Sequence, residues 1–334
     1  MSLFREVFLP FNYPHSVSSD YLDYQIWDSV QAFASSMNGA LATQAILKGV
    51  GVGNEQATAL AATLTWLLKD GSGMVGRILF AWRKAKDLDT YSKSWRLMAD
   101  ILNDIAFFLD ISSVFITYYP FFFISICTSS VLRSIVGVAG GVTRTVVVQH
   151  QSIDNNIADV AAKDGSQETC VNLLSLIASL ILLPLIHQNQ YLIFVCFLIF
   201  TFAHLYANYK AVRALNFNVF NYETFHLAVK HYLNNESLDV NSINKKEPLF
   251  SSNLIKNPKS LAYETDNYLI QDNIITIYDS TSAISSFEAQ FMYESHSITS
   301  KLSTDFQNFF HELESNGWNL GRHNFNHTVK SKHH

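Results

Sequence analysis

Apolar positions recur at helical spacing through the first two-thirds of the chain. The pattern predicts helices over Ser18 to Met37, Gly39 to Gly49, Asn54 to Lys69, Gly71 to Ala85, Lys93 to Tyr119, Phe121 to Ile135, Val142 to Gln149, Asn156 to Lys163, Gln167 to His187 and Gln190 to Leu215. Two of these stretches, Cys170 to Ile186 and Tyr191 to Tyr206, are apolar in every direction. Leu192, Ile193, Phe194, Val195, Phe197, Leu198, Ile199 and Phe200 leave no polar stripe, and only a central core position or lipid accommodates such a surface. A spanning helix needs roughly 20 apolar residues, and each stretch falls a little short alone. Around Pro184 and the His187 to Gln190 turn they are expected to form a helical hairpin. Ile105 to Ile126 is a third candidate span, broken by Asp110 and Pro120. The competing reading is a soluble all-α bundle with a very apolar core.

Past Asn216 the pattern changes. Asn, Ser, Lys and two prolines crowd the stretch from Asn234 to Pro258, then Tyr268 to Ile270 and Asn273 to Tyr278 read as strands and Ser286 to Met292 and Ser300 to Ser315 as helices. The expected organisation is mainly α: a multi-helix, membrane-associated domain over residues 1–225, a linker over 226–260 and a small α+β region over 261–334.

Composition sharpens the membrane reading. The chain of 334 residues is 49% hydrophobic, with 25 Phe and 15 Tyr, and only 15% charged against a typical quarter. A formal charge of -5, with no basic stripe along any helix, excludes the counterion release that drives nucleic-acid binding. Cys127, Cys170 and Cys196 stand in or beside apolar runs without close pairing, which argues against a disulfide framework or a zinc site. Glu6 and Pro10 interrupt the N-terminus before an apolar core of signal-peptide length, so membrane insertion is expected to rely on internal helices. The expected partner is a lipid membrane of an unassigned compartment, with a related chain or a second protein as a further candidate.

Charge embedded in apolar sequence marks where chemistry should lie, because ionisable groups at membrane depth are costly and persist for pairing or function. Asp20, Tyr24, Asp28 and Gln31 share one helical face, which reads either as a site or as a solvated surface near a helix start. Arg96, Asp100, Asn103 and Asp104 share another, with Arg96 and Asp100 spaced for an intrahelical ion pair. Two Lys-Asp-Gly-Ser segments, Lys69 to Ser72 and Lys163 to Ser166, each follow a Gly-rich run, Gly49 to Gly53 and Gly137 to Gly141. Each Asp-Gly-Ser is expected to end one helix and cap the next. The repeated order suggests either an internal duplication, with helix ends meeting at a substrate site as in transporters, or a good turn recurring by chance. Lys163, Asp164, Glu168 and Asn172 form the densest polar cluster entering an apolar helix. Asp70 and Arg77 are their counterparts, and Asp100 and Asn103 complete the candidate polar site. No catalytic residue, metal site or cofactor is assigned. Gly49 to Gly53 lacks the Gly-Lys-Ser/Thr ending of a phosphate loop, and His323, His327, His333 and His334 read as a surface tail.

Several runs carry a family resemblance. They are Tyr13-Pro-His-Ser-Val17, Asp20-Tyr-Leu-Asp-Tyr-Gln-Ile-Trp-Asp28, Leu68-Lys-Asp-Gly-Ser-Gly-Met-Val-Gly-Arg77, Trp95-Arg-Leu-Met-Ala-Asp100, Val136-Gly-Val-Ala-Gly-Gly141 and Ala158 to Thr169. Together they resemble the root UV-B sensitive family over residues 4 to about 225. The resemblance implies a eukaryotic, membrane-associated protein whose plant relatives are linked to ultraviolet-B responses, vitamin B6 status and auxin transport. It carries over no catalytic residue. Two functional readings follow: a non-enzymatic, transporter-like or transport-assisting scaffold, and a regulator or enzyme of pyridoxal phosphate homeostasis.

Overall fold

In the computed structural model the predicted helices fuse into fewer and longer ones. The structure describes residues 3–49, 59–113, 115–116, 118–250, 262–271, 274–278, 283–299 and 305–330. Its helices are α1 (Leu3–Phe8), α2 (Tyr21–Gly49), α3 (Ala59–Thr90), α4 (Ser92–Ser113), α5 (Tyr119–Gln151), α6 (Ile157–Ile186), α7 (Gln190–Ala214), α8 (Tyr222–Leu233), α9 (Val240–Lys246), α10 (Ala283–Thr299) and α11 (Phe306–Ser315). The chain divides into two units, residues 1–88 with 95–215 and residues 89–94 with 216–334.

In the first unit α2 is central, packed against both α6 and α7. Leu41, Ala42 and Ala45 of α2 meet Phe107 and Ile111 of α4, Ile186 of α6 and Ile193 and Phe197 of α7 in one buried cluster. The α6–α7 connection is the expected hairpin turn, and the Asn189 side chain caps α7 by accepting from the backbone N–H groups of Tyr191 and Leu192. Pro120 falls in the first turn of α5, where the missing N–H costs nothing. The candidate span Ile105 to Ile126 is therefore two helices. Among the described residues, the segments long and apolar enough to cross a membrane are Pro120–Gln151, Ile157–Ile186 and Gln190–Ala214. At 1.5 Å rise per residue the 30 residues of α6 extend about 45 Å, more than the roughly 30 Å of a bilayer's hydrocarbon core.

Neither Lys-Asp-Gly-Ser segment ends a helix, contrary to the turn expected there. Lys69 to Ser72 lies inside α3 and Lys163 to Ser166 inside α6. The serine hydroxyls bond back into their own helices, Ser72 to the Lys69 carbonyl at 2.6 Å and Ser166 to the Ala162 carbonyl at 3.0 Å. Each Gly costs its helix only about 1 kcal/mol, which long flanking turns and tertiary packing outweigh. The Gly137 to Gly141 run is likewise continuous within α5, while Gly51 and Gly53 of the first run lie outside the described residues.

Two glycines of α3 serve close approach to α5. A Cβ at Gly73 would stand 2.7 Å from Ser130 Oγ, and one at Gly76 would stand 2.9 Å from Ser134 Oγ and 3.0 Å from Val131 Cγ1. Small residues facing one another let helix backbones approach closely. Gly76→Leu is expected to lower stability by about 1–3 kcal/mol through overpacking, read as a lower thermal midpoint in detergent.

The second unit is α+β. Strands β1 (Tyr263–Glu264), β2 (Tyr268–Gln271), β3 (Ile274–Tyr278) and β4 (Thr328–Lys330) form a sheet in that order, antiparallel except for the parallel β3–β4 pair. Where composition suggests a linker over 226–260, the structure places most of α8 and all of α9. Phe225, Leu227, Ala228 and Val229 of α8 are buried among Phe287, Phe291 and Phe309, and Phe220 stacks on Trp318 with ring centroids 3.8 Å apart. His323 and His327, expected as surface tail, pack instead against Phe325, with His327 bonded to Gln290 at 3.0 Å. His333 and His334 lie outside the described residues.

Candidate functional site

Of the polar face expected on the first long helix, Asp20 and Tyr24 are buried and Asp28 and Gln31 half-buried. Tyr21, Gln25, Asp28, Gln31, Ser35 and Asn38 recur three or four residues apart, so one stripe of α2 carries all of them. From Tyr21 to Asn38 it runs about 25 Å along the axis. Every member has a polar partner on another helix or a neighbouring turn of its own.

At the inner end the stripe meets α4 and α7. His204, fully buried, sits between two carboxylates of α4: its Nδ1 is 2.8 Å from Asp104 Oδ2 and its Nε2 is 3.4 Å from Asp100 Oδ2. Gln31 reaches both sides of this arrangement, donating to Asp100 at 2.8 Å and lying 2.9 Å from His204 Nε2. The Asn38 amide donates to Thr201 at 3.0 Å and to Asp104 at 3.4 Å, and Asn103 donates to Ser35 at 3.1 Å. Midway, Arg96 pairs with Asp28 at 2.5 Å. This replaces the intrahelical Arg96–Asp100 pair that spacing suggests, because Asp28 is presented across the helix interface while Asp100 is held by Gln31 and His204. Burial pushes the Asp28 carboxyl above the ordinary carboxylate range, and Arg96 opposes that shift.

At the outer end α2 meets α6. Gln25 donates to Asp164 at 3.0 Å, and Arg144 of α5 binds the same carboxylate at 2.5 Å while also pairing with Glu168. Gln167 donates to Tyr21 Oη at 3.1 Å, while Asn172 accepts from Ser36 at 2.6 Å farther along α2, level with Ser35. Lys163 turns away, donating to the Glu6 carbonyl.

The eight residues expected to form one site thus divide. Asp100 and Asn103 join the seam's inner end, Asp164 and Glu168 its outer end, Asn172 meets Ser36 of α2 beside Ser35, and Lys163 faces α1. Asp70 is exposed on α3, 4.0 Å from Lys69, and Arg77 is exposed with its guanidinium beside Gly137 of α5. Sequence reasoning passed over His204, Arg144 and Asn38. A signal for His204 was present: Thr201, His204 and Asn208 share helical spacing in a helix otherwise nearly all apolar.

Around this polar interior the outer faces are apolar. Leu173, Leu174, Ile177, Leu180 at 67% and Leu185 at 75% are exposed on α6, and Ile199 and Phe202 at 74% on α7. Isolated exposed apolar residues are ordinary, but contiguous stripes along long helices mark an interaction surface.

Residues 1–236 match the family model described as the vitamin B6 photo-protection and homoeostasis domain. The chain belongs to the root UV-B sensitive family. It is 47% identical over 233 residues to RUS family member 1 of Dictyostelium discoideum, covering 69% of this chain and 44% of that protein. It is 36% identical over 253 residues to protein root UVB sensitive 3 of Arabidopsis thaliana, covering 75% of this chain and 57% of the relative. The chain therefore spans about half the length of these curated relatives. No solved structure matches it. The family match ends at residue 236, so it takes in the whole seam and α8 but not the sheet.

Proposed function

We propose that the helical unit is a membrane-embedded, non-enzymatic, transporter-like domain whose α2 seam recognises a small polar or charged solute. The observation that carries this reading is a fully buried His204 held between Asp100 and Asp104 within helices whose outer faces are apolar. Buried charge of this density costs stability against an apolar replacement, and intramembrane ionisable groups mark substrate or ion pathways. The seam also contains what such a pathway needs chemically: carboxylates, guanidinium groups, an imidazole and amides in successive clusters along α2.

The vitamin B6 reading draws support from the family's description alone. Lys163, the amine in question, is engaged by the Glu6 carbonyl, and the cavity beside it is lined by the acidic Glu6 and Asp159 as well as Arg5. An amine held by a backbone carbonyl between two carboxylates does not fit a Schiff-base nucleophile.

In cells lacking the endogenous protein, His204→Gln and Asp104→Asn are expected to reduce complementation roughly tenfold or more, as losing one charged hydrogen-bond partner costs at least about 1.4 kcal/mol. Both variants should remain in the membrane after carbonate extraction. Full complementation by either variant, or release of the wild-type chain by carbonate, would overturn the reading.

A further inference from the structure

Two cavities flank the end of the seam at Tyr21 and Gln25 and share a wall made by Leu9 and Tyr13. One, of about 470 Å³, is an open groove between α1, α2 and α6 whose sides include Phe8, Leu22, Ile26, Cys170 and Val171. The other, of about 400 Å³, is lined by Arg5, Glu6, Asp159 and Lys163. Both volumes lie in the range of about 300–1,000 Å³ in which ligand pockets fall. Their chemistries are complementary halves of one amphiphile.

The polar cavity offers two cations and two carboxylates. The Arg5 guanidinium makes no ion pair among the described residues, and the Lys163 ammonium uses one of its three protons on the Glu6 carbonyl. One Asp159 oxygen accepts from the Phe11 N–H at 2.6 Å, which leaves its other oxygen for a ligand. Such a mixture suits a zwitterion better than a simple anion, which both carboxylates would repel. The apolar groove is continuous with the exposed face of α6, since Cys170, Leu173, Leu174 and Ile177 follow one another at helical spacing. Leu22 and Ile26, about half exposed, form its opposite lip.

We propose that this double cavity binds one molecule of a zwitterionic phospholipid. Its phosphate lies on Arg5 and Lys163, its ammonium toward Glu6 and Asp159, and one acyl chain in the groove beside Cys170. The site uses none of the His204 network, so it can stand or fall apart from the solute reading.

The test is native mass spectrometry of the full chain extracted from vesicles of equimolar phosphatidylcholine and phosphatidylglycerol. One phosphatidylcholine per chain is expected, retained about tenfold over phosphatidylglycerol. Ile26→Trp, which fills the groove, and the pair Arg5→Gln with Lys163→Gln should each cut that retention roughly tenfold. A second measurement follows maleimide alkylation of Cys170 in a chain carrying Cys127→Ser and Cys196→Ser. Phosphatidylcholine should slow it at least fivefold, and phosphocholine alone should not. Equal retention of the two lipids by the wild-type chain would overturn the proposal in favour of non-selective surrounding lipid. Protection by phosphocholine equal to that by the lipid would overturn it in favour of a soluble ligand.

Discussion

Replacing Arg96 by alanine is expected to destabilise the helical unit by about 3–5 kcal/mol, because the change strands the Asp28 carboxylate in a largely buried position. The size of the effect comes from the charge left behind, not from the net value of the pair. Two consequences distinguish this cause from lost packing of the arginine stem. Asp28→Asn in the Arg96→Ala background should restore much of the loss, since no charge then remains to be buried. The loss should also shrink as pH falls. An acid whose folded pKa lies above its unfolded value binds a proton in the folded state first, so stability is full below the unfolded value near 4 and declines as pH rises through the folded value. Thermal midpoints in detergent, compared at pH 5 and pH 8, read both effects. A pH-independent loss that Asp28→Asn does not relieve would assign Arg96 to packing alone.

The largest expected effect in the second unit is Phe225→Ala, at about 3–5 kcal/mol. Phe225 is fully buried, with ring centroids 5.2 Å from Phe220, 5.8 Å from Phe287, 5.7 Å from Phe309 and 5.3 Å from Phe325. These rings come from α8, α10, α11 and the segments around them, so removing one side chain opens a cavity where four parts of the unit converge. Limited proteolysis should show cleavage within residues 216–330 at denaturant concentrations where the wild-type chain resists. Unchanged resistance would show that the aromatic cluster is not what holds this unit together. The same geometry bears on truncation. A chain cut after residue 225 keeps Phe220 and Phe225 without their partners and would expose core.

The two units differ in how legible they were. Tyr268 to Ile270 and Asn273 to Tyr278 read as strands and became β2 and β3, because alternation and β-branched residues state a local preference that the sheet satisfies. The helices of the first unit were visible as helices but not as lengths. Gly71, Gly165 and the Gly137 to Gly141 run read as breaks, yet each lies inside a continuous helix. Glycine's cost in a helix is local and small, whereas the demand for close approach at Gly73 and Gly76 is set by α5, which local sequence does not display. α8 was hidden for a similar reason. Its neighbourhood is polar in composition, and its burial depends on aromatic residues more than 60 positions later.

For the candidate site, the residue types and their spacing on α2 and α4 were readable as polar faces. Which way those faces point was not. A stripe of Asp, Gln and Tyr on a helix has the same pattern whether it meets water or other polar side chains, and only the packing of α4, α6 and α7 around α2 distinguishes them. The two Lys-Asp-Gly-Ser segments show the converse. They stood out by recurrence, but the structure sends Lys163 to α1 and leaves Asp70 exposed on α3.

By itself the sequence determined the helical character of the first 215 residues, the apolar surfaces of α6 and α7, the small α+β unit and the family, because each is written in local composition, period or motif. Tertiary structure decided that Arg96 pairs with Asp28, that His204 stands between Asp100 and Asp104, and that the polar face of α2 is an interior seam. Those outcomes depend on partners 68, 104 and 100 residues apart, brought together by burial of apolar surface that carries no record of which polar groups it will enclose.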